Sequence, residues 1–290
     1  MPLQLWVSVI ASGCFFALIA LGFLIVLEGS GVFNFAIGPY AAFSALASSW
    51  LVVEQGLPLA LAIAVGVSCA VLLSLLTEVV VVRPIERRTL GDELPAIIAI
   101  VAALFAVQQF AGWIFGRSPL PGQYWTSIQP FFVGSAVVDP QVVILAGATV
   151  LIFGLVALWL RISRTGRMFR AVGDNQPAAR MLGLPVNRIR LAACALAGAV
   201  VGIAGPLFSP QAGVSFQSGL TYSLFGLLAL VIGGRGSIWA PLVGGLLLAS
   251  LQVWSSYWFG AEWLQYSTFF AALAFFALRP EGIFTQRVRV

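Results

Sequence analysis

Hydrophobic positions along this chain run in long unbroken stretches and do not alternate. Short clusters of Gly, Pro and Arg separate the stretches. About nine apolar segments result, at residues 5–27, 33–53, 58–82, 94–116, 140–160, 191–209, 220–234, 238–259 and 263–278. A helix crosses a bilayer with about 20 apolar residues, and several segments reach that length, although the seventh and ninth are short. In lipid only helices satisfy every backbone polar group within one segment. The pattern therefore predicts an all-α, polytopic integral membrane protein with about eight to ten transmembrane helices and Gly-rich broken segments. Residues 1–290 form a single transmembrane domain.

Arginine placement orients the segments. With the N-terminus outside and every segment crossing, the inner loops carry Arg83, Arg87, Arg88, Arg235, Arg279, Arg287 and Arg289. They also carry the seven arginines of an insert at 161–190, namely Arg161, Arg164, Arg167, Arg170, Arg180, Arg188 and Arg190. Only Arg117 falls outside. Basic residues accumulate on the cytoplasmic side, so the insert is expected in water on that side, with the C-terminus also cytoplasmic. Trp6, Trp50, Trp113 and Trp159 lie near segment ends, as an interfacial aromatic belt requires. The first segment has no positive n-region and is longer than a signal-peptide core, so it reads as a retained span.

Composition narrows the chemistry. The chain is 60% hydrophobic and 9% charged, with a mean hydropathy of +1.02, which excludes an ordinary soluble domain. It has no Lys, which removes a Walker A loop and a Schiff base, and no His, which removes His-based catalysis and His-ligated metal. Cys14, Cys69 and Cys194 lie far apart inside apolar runs and read as small buried hydrophobes. No catalytic residue, metal site or cofactor is predicted. Glu28, Glu78, Asp92 and Glu93 fall near inner segment ends, and Glu54, Asp139 and Glu262 near outer ends. Gln108 and Gln109 are deeper. Ion-coupled carriers need ionisable or polar ligands at depth, so this distribution favours transport energised from elsewhere.

Three stretches stand out. Gly31 to Tyr40 holds Phe33, Asn34, Gly38 and Tyr40 around Pro39, a poor continuous membrane helix. It reads either as a broken segment lining a translocation path or as an inner turn with Asn34 capping the next helix. The Gly233-Gly234-Arg235-Gly236 run gives either a tight turn or a nest of exposed amides. Within the insert, residues 174–183 offer Asp174 and Asn175 as caps, Pro177 near the first turn, and Gly183 as a stop. Ala178, Ala179, Met181 and Leu182 supply an apolar face beside Arg180. So short a helix needs a packing surface, either a groove on another protein or its own bundle. Small-residue pairs such as Ala41-Ala42 and Gly244-Gly245 suit close helix packing.

In family terms, Gly31-Val-Phe-Asn-Phe-Ala-Ile-Gly38 resembles the G-x-x-N-F-A-x-G signature of permease subunits from branched-chain amino acid ABC importers. Arg164-Thr-Gly-Arg-Met-Phe-Arg-Ala171 and the following 174–183 stretch resemble that family's cytoplasmic loop with its A-A-x-x-x-G element. Gly233-Gly-Arg-Gly-Ser237 with Pro241, Gly244 and Gly245, and Arg279-Pro-Glu-Gly-Ile-Phe284, resemble two further family segments in the same order. The chain departs at Ile37, where family members often carry His or Gln, which leaves the cargo open. The resemblance implies a prokaryotic inner-membrane subunit that is no enzyme itself, with ATP hydrolysed on a separate subunit. It implies a heterodimer with a second permease, two cytoplasmic ATP-binding subunits and an extracytoplasmic substrate-binding protein. It makes Asp174, Asn175, Ala178, Ala179, Arg180, Leu182 and Gly183 an ATPase-coupling element. It places Phe33, Asn34, Gly38, Tyr40, Gly233 and Gly234 on the substrate pathway. Branched-chain or other hydrophobic amino acids are the implied cargo, with urea, short amides or simple sugars as alternatives. An ion-coupled carrier or channel is the rival class.

Overall fold

Each of the apolar segments becomes a helix. The computed structural model describes residues 2–88, 93–174, 176–278 and 282–284. In order they form α1 (Pro2–Ser30), α2 (Ile37–Val53), α3 (Leu59–Leu76), a π-helical turn (Thr77–Val82), α4 (Arg83–Arg88) and α5 (Glu93–Phe115). A hairpin follows, β1 (Phe131–Val133) and β2 (Ala136–Val138). Next come α6 (Pro140–Ile162), α7 (Arg164–Asp174), α8 (Gln176–Met181), α9 (Val186–Ala212), α10 (Ser218–Gly233), α11 (Ala240–Phe259) and α12 (Trp263–Leu278). Among the described residues, six helical stretches are long and apolar enough to cross a membrane: Leu3–Ser30, Leu59–Glu86, Leu94–Phe115, Pro140–Ile162, Val186–Ala212 and Ala240–Phe259. Helices α2 and α10 are apolar but shorter, at 17 and 16 residues. The protein is an all-α, multi-pass membrane protein.

The bundle is layered. Helices α1 and α2 form its centre, where Phe15, Leu18, Ile19, Phe23, Ile37, Tyr40 and Leu46 are sealed from solvent. Helix α1 packs against α9, α10 and α11, while α2 packs against α3, α9 and α10. Outer helices turn Leu61, Leu72, Ile98, Trp113, Leu151, Leu155, Phe269 and Leu273 outward. Such exposure is costly in water and natural against lipid tails. Lipid gives no hydrophobic drive between helices, so close backbone contact through small residues does the packing. A Cβ on Gly245 would press on Gly13 and Ala17 of α1, and one on Gly244 would strike the Ala229 carbonyl.

Three features were not visible as elements in the sequence. The α3–α4 stretch is continuous but widens at Thr77–Val82, where the Arg83 amide donates to the Glu78 carbonyl, five residues back. Pro84 explains the widening: its ring would strike the carbonyl of residue 80 in a regular α-helix, and an extra residue per turn relieves that contact. The hairpin sits in the 116–139 connection, tied to α1 by the Val137 amide donating to Gln4 Oε1 at 2.9 Å. Helix α7 adds a second helix to the insert. Its Phe169 and Val172 are buried while Arg164, Arg167 and Arg170 face out, so the basic composition concealed an amphipathic period. Phe169 meets Trp159 edge-on, with ring centroids 5.7 Å apart.

One expectation is corrected. Arg190 does not lie in water with the rest of the insert: it is 3% exposed and ion-paired at the start of α9. Two acidic side chains on the α3–α4 stretch face it, and their charge makes its burial tolerable.

Candidate functional site

The break between α1 and α2 is built by local hydrogen bonds. The Gly31 amide still donates to Leu27, closing α1. Asn34 is buried, and its Oδ1 accepts from the Ala36 amide at 3.0 Å while its carbonyl accepts from Ile37 at 3.3 Å. Asn34 thus holds the turn that leads into α2, with Pro39 in the first helical turn, where a missing amide costs nothing. The Ser223 hydroxyl of α10 bridges the break. It accepts from the Gly38 amide at 3.0 Å and donates to the Phe35 carbonyl at 2.6 Å. Irregular backbone at membrane depth needs such partners. Gly38 also lies flush on α10, where a Cβ would collide with the Gly219 carbonyl and the Ser223 amide. Sequence reasoning missed Ser223, since nothing near it in the chain marks it as the partner of residues 35–38.

Tyr40 is wholly buried two residues further on. Thr77 and Asn34 are the polar neighbours of its hydroxyl, which makes no hydrogen bond of good geometry. A buried hydroxyl without a partner of good geometry is uncommon among native structures.

The second Gly-rich stretch joins the chain's last described segment. The Ile283 and Phe284 amides donate to the Ile232 and Gly233 carbonyls at 3.0 and 2.9 Å, and the Gly236 amide donates to Phe284 at 2.8 Å. Gly234 caps α10, its amide donating a hydrogen bond to the Leu230 carbonyl at 2.7 Å. The amides of Gly234 and Gly236 are thus used within the chain, so this stretch is a tight turn, and those two amides do not form an open anion nest. Gly233 itself packs against the Ala240 carbonyl. The structure also brings the two Gly-rich stretches together: the Arg235 guanidinium carbon lies 5.1 Å from the Phe33 ring centroid, within cation–π range.

The insert forms the third group. Helix α8 ends in a left-handed Gly183, with the Leu184 amide reaching back to Ala179 at 3.0 Å and the Gly183 amide to Arg180 at 3.0 Å. Ala179 is buried within the insert, whereas Ala178, Arg180 and Leu182 are exposed. Met181, 89% exposed, belongs with Leu182, 80% exposed, as an apolar tip. Asn175 and the Asp174 side chain lie outside the described residues.

Beside the insert is a charged cluster. Glu78 Oε1 accepts from Arg83 Nε at 3.2 Å and from Arg190 Nε at 2.9 Å. Arg190 also grips Glu86 with both terminal nitrogens, at 2.6 and 3.1 Å. Arg83 donates onward to the Asn187 carbonyl at 2.7 Å. Sequence reasoning did not assemble this cluster. The available signal was that Glu78 and Glu86 adjoin an apolar run and require cationic partners.

Comparison with known proteins gives the family. The family described as "Branched-chain amino acid transport system / permease component" matches residues 5–278. The high-affinity branched-chain amino acid transport system permease protein LivH of Salmonella typhimurium is 26% identical over 97% of this chain and 94% of its own length. BraD of Pseudomonas aeruginosa, of the same description, is 28% identical over 97% of this chain and 95% of its own. The autoinducer 2 import system permease protein LsrC of Klebsiella pneumoniae is 34% identical over 56% of this chain and 48% of its own. Among solved structures, PsaBC from Streptococcus pneumoniae in complex with Fab shares the fold, with a TM-score of 0.52 at 12% identity over 94% of this chain and 91% of that one. A family match over residues 5–278 settles the assignment: the chain belongs to the family of branched-chain amino acid transport system permease components.

Proposed function

We propose that this chain is a transmembrane permease subunit of an ATP-driven importer, carrying branched-chain or similarly apolar amino acids across the cell membrane. Near-full-length similarity to LivH and BraD is the observation that carries the reading. Among the described residues, six helices long enough to span alone and the shorter apolar α2 and α10 support eight to ten crossings. Exposed Arg161, Arg164, Arg167, Arg170, Arg180 and Arg188 support a cytoplasmic insert, an outer N-terminus and an inner C-terminus. The complex would comprise a second permease, two ATP-binding subunits and an extracytoplasmic binding protein. Helix α8 and its Met181–Leu182 tip would dock in a groove of an ATP-binding subunit, an apolar anchor ringed by charge. Cargo would pass the α1–α2 break, where Asn34 and the unpartnered Tyr40 hydroxyl offer polar contacts among Phe-rich walls.

The test is reconstitution in proteoliposomes with the ATP-binding subunits and binding protein. ATP-dependent uptake of radiolabelled leucine is expected, competed by isoleucine and valine. Uptake by the lone chain without ATP would overturn the reading in favour of a self-contained carrier. The LsrC similarity favours a second cargo. Failure of leucine uptake, with ATP-dependent uptake of autoinducer 2, urea or a simple sugar, would move the assignment there.

A further inference from the structure

The cluster around Arg190 lies where the insert rejoins the bundle. Helix α8 ends at Met181 and α9 begins at Val186, only a few residues before Arg190. The linking turn is short and internally bonded: Leu184 to Ala179, Val186 to Leu184 and Arg188 to Pro185. These bonds tie the end of α8 to the first turn of α9. From there, Arg190 reaches across to the α3–α4 stretch. All three of its nitrogens are engaged, one with Glu78 inside the π-helical turn and two with Glu86 on α4. Arg83 makes the return link, joining Glu78 to the Asn187 carbonyl of α9. Farther along, the same helices touch backbone to backbone: a Cβ on Gly198 would meet Val71 and the Ala70 carbonyl, and one on Gly202 would meet Val67.

A buried ion cluster is a poor way to gain stability, because apolar packing of equal volume does at least as well. It does confer direction and reach, since a planar guanidinium fixes two carboxylates at set angles. The cluster also centres on a π-helical turn, the one place in the α3–α4 stretch where the backbone departs from regular α-helix.

On these grounds we infer that Arg190 is a positioning residue for energy coupling, a yoke that joins the start of α9 to the π-helical turn and α4 through Glu78 and Glu86. Displacement of the insert then moves α3 and α9 together and is not absorbed at the turn between α8 and α9. This inference rests on the proposed docking of α8.

The experiment uses the full reconstituted complex and reads substrate moved per ATP hydrolysed, with the melting temperature of each variant. Arg190→Lys keeps the charge but offers one ammonium in place of a fork. Glu86→Gln keeps the shape of a side chain that is 22% exposed. Each is expected to lower the ratio by about tenfold, in the ordinary range of coupling between sites, with KM for substrate unchanged. Should Arg190→Lys fail to assemble, Glu86→Gln decides alone. A wild-type ratio in Glu86→Gln overturns the inference. So does an equal fall in Ser44→Ala, a destabilised variant far from the cluster, at matched loss of melting temperature. The underlying docking reading fails separately, if Met181→Asp/Leu182→Asp leaves subunit association and uptake intact.

Discussion

The Ser44 hydroxyl donates to the Gly202 carbonyl at 2.6 Å, and that carbonyl is the one deprived of its helical partner by Pro206. A residue at 206 with an amide would donate to 202; proline cannot. Pro210 repeats the problem four residues on, and the Ser209 hydroxyl donates to the freed Pro206 carbonyl at 3.1 Å. Helix α9 thus carries two prolines inside the bundle, with a serine answering each.

Ser44→Ala is accordingly expected to destabilise the protein by about 0.6–2 kcal/mol, the range between intramembrane and soluble hydrogen-bond losses. Thermal unfolding in detergent measures it. Adding Pro206→Ala restores the helical amide, so the double variant should lose less than Ser44→Ala alone. Equal melting of Ser44→Ala and wild type would show the bond to be dispensable.

Gly38→Ala places a methyl group against the Gly219 carbonyl and the Ser223 amide, both backbone atoms that cannot step aside. A cost of about 1–3 kcal/mol follows from overpacking, together with loss of uptake as the α1–α2 break is pushed off α10. Gly147→Ala is the control, since nothing lies within 4 Å of a Cβ there and alanine is the better helix former. Similar behaviour of the two variants in unfolding and uptake assays would remove the contact argument.

These two glycines also show how far the sequence could be read. Apolar runs located the six helices among the described residues that are long and apolar enough to span, because the length of a span is imposed by the bilayer, a local constraint. The Gly31–Gly38 break was legible for the same reason, as Gly and Pro are local breakers. What faces the break was not, because Ser223 is nearly two hundred residues away and its Oγ is one hydroxyl among many. Arg190 was misplaced for a related reason. Composition assigned it to a basic loop, and only three-dimensional proximity to Glu78 and Glu86 accounts for its burial. The π-helical turn rested on Pro84 alone, a single residue that more often simply ends a helix.

The insert makes a prediction with two separable outcomes. Met181→Asp/Leu182→Asp alters exposed side chains, so the permease should melt normally while co-purification with the ATP-binding subunit falls. Ala179→Asp instead buries a carboxylate at a position that is 2% exposed, and should lower the melting temperature of the permease alone. Measuring both quantities for both variants checks the assignment of tip and packing face. A loss of stability in the Met181/Leu182 variant would mean that the tip packs on its own bundle.

The final described residues explain why a glycine stands at 282. Its φ is +80°, and a Cβ would press on Gly234, the residue that caps α10. Side chains other than glycine lose roughly 1–2 kcal/mol in that left-handed region before any collision is counted. The segment after it contributes through its backbone, with hydrogen bonds to Ile232, Gly233 and Gly236, while the Phe284 side chain is exposed. Gly282→Val should therefore detach the tail from the Gly233–Gly236 turn, and Phe284→Ala should leave it in place. Attachment can be followed by protease cleavage near the C-terminus in detergent-solubilised protein, where Gly282→Val is expected to be cut faster than wild type. The Arg235–Phe33 contact lies beside this tie, so uptake should fall with Gly282→Val as well. Faster cleavage of Phe284→Ala with Gly282→Val unaffected would place the anchoring in the side chain and reverse the argument.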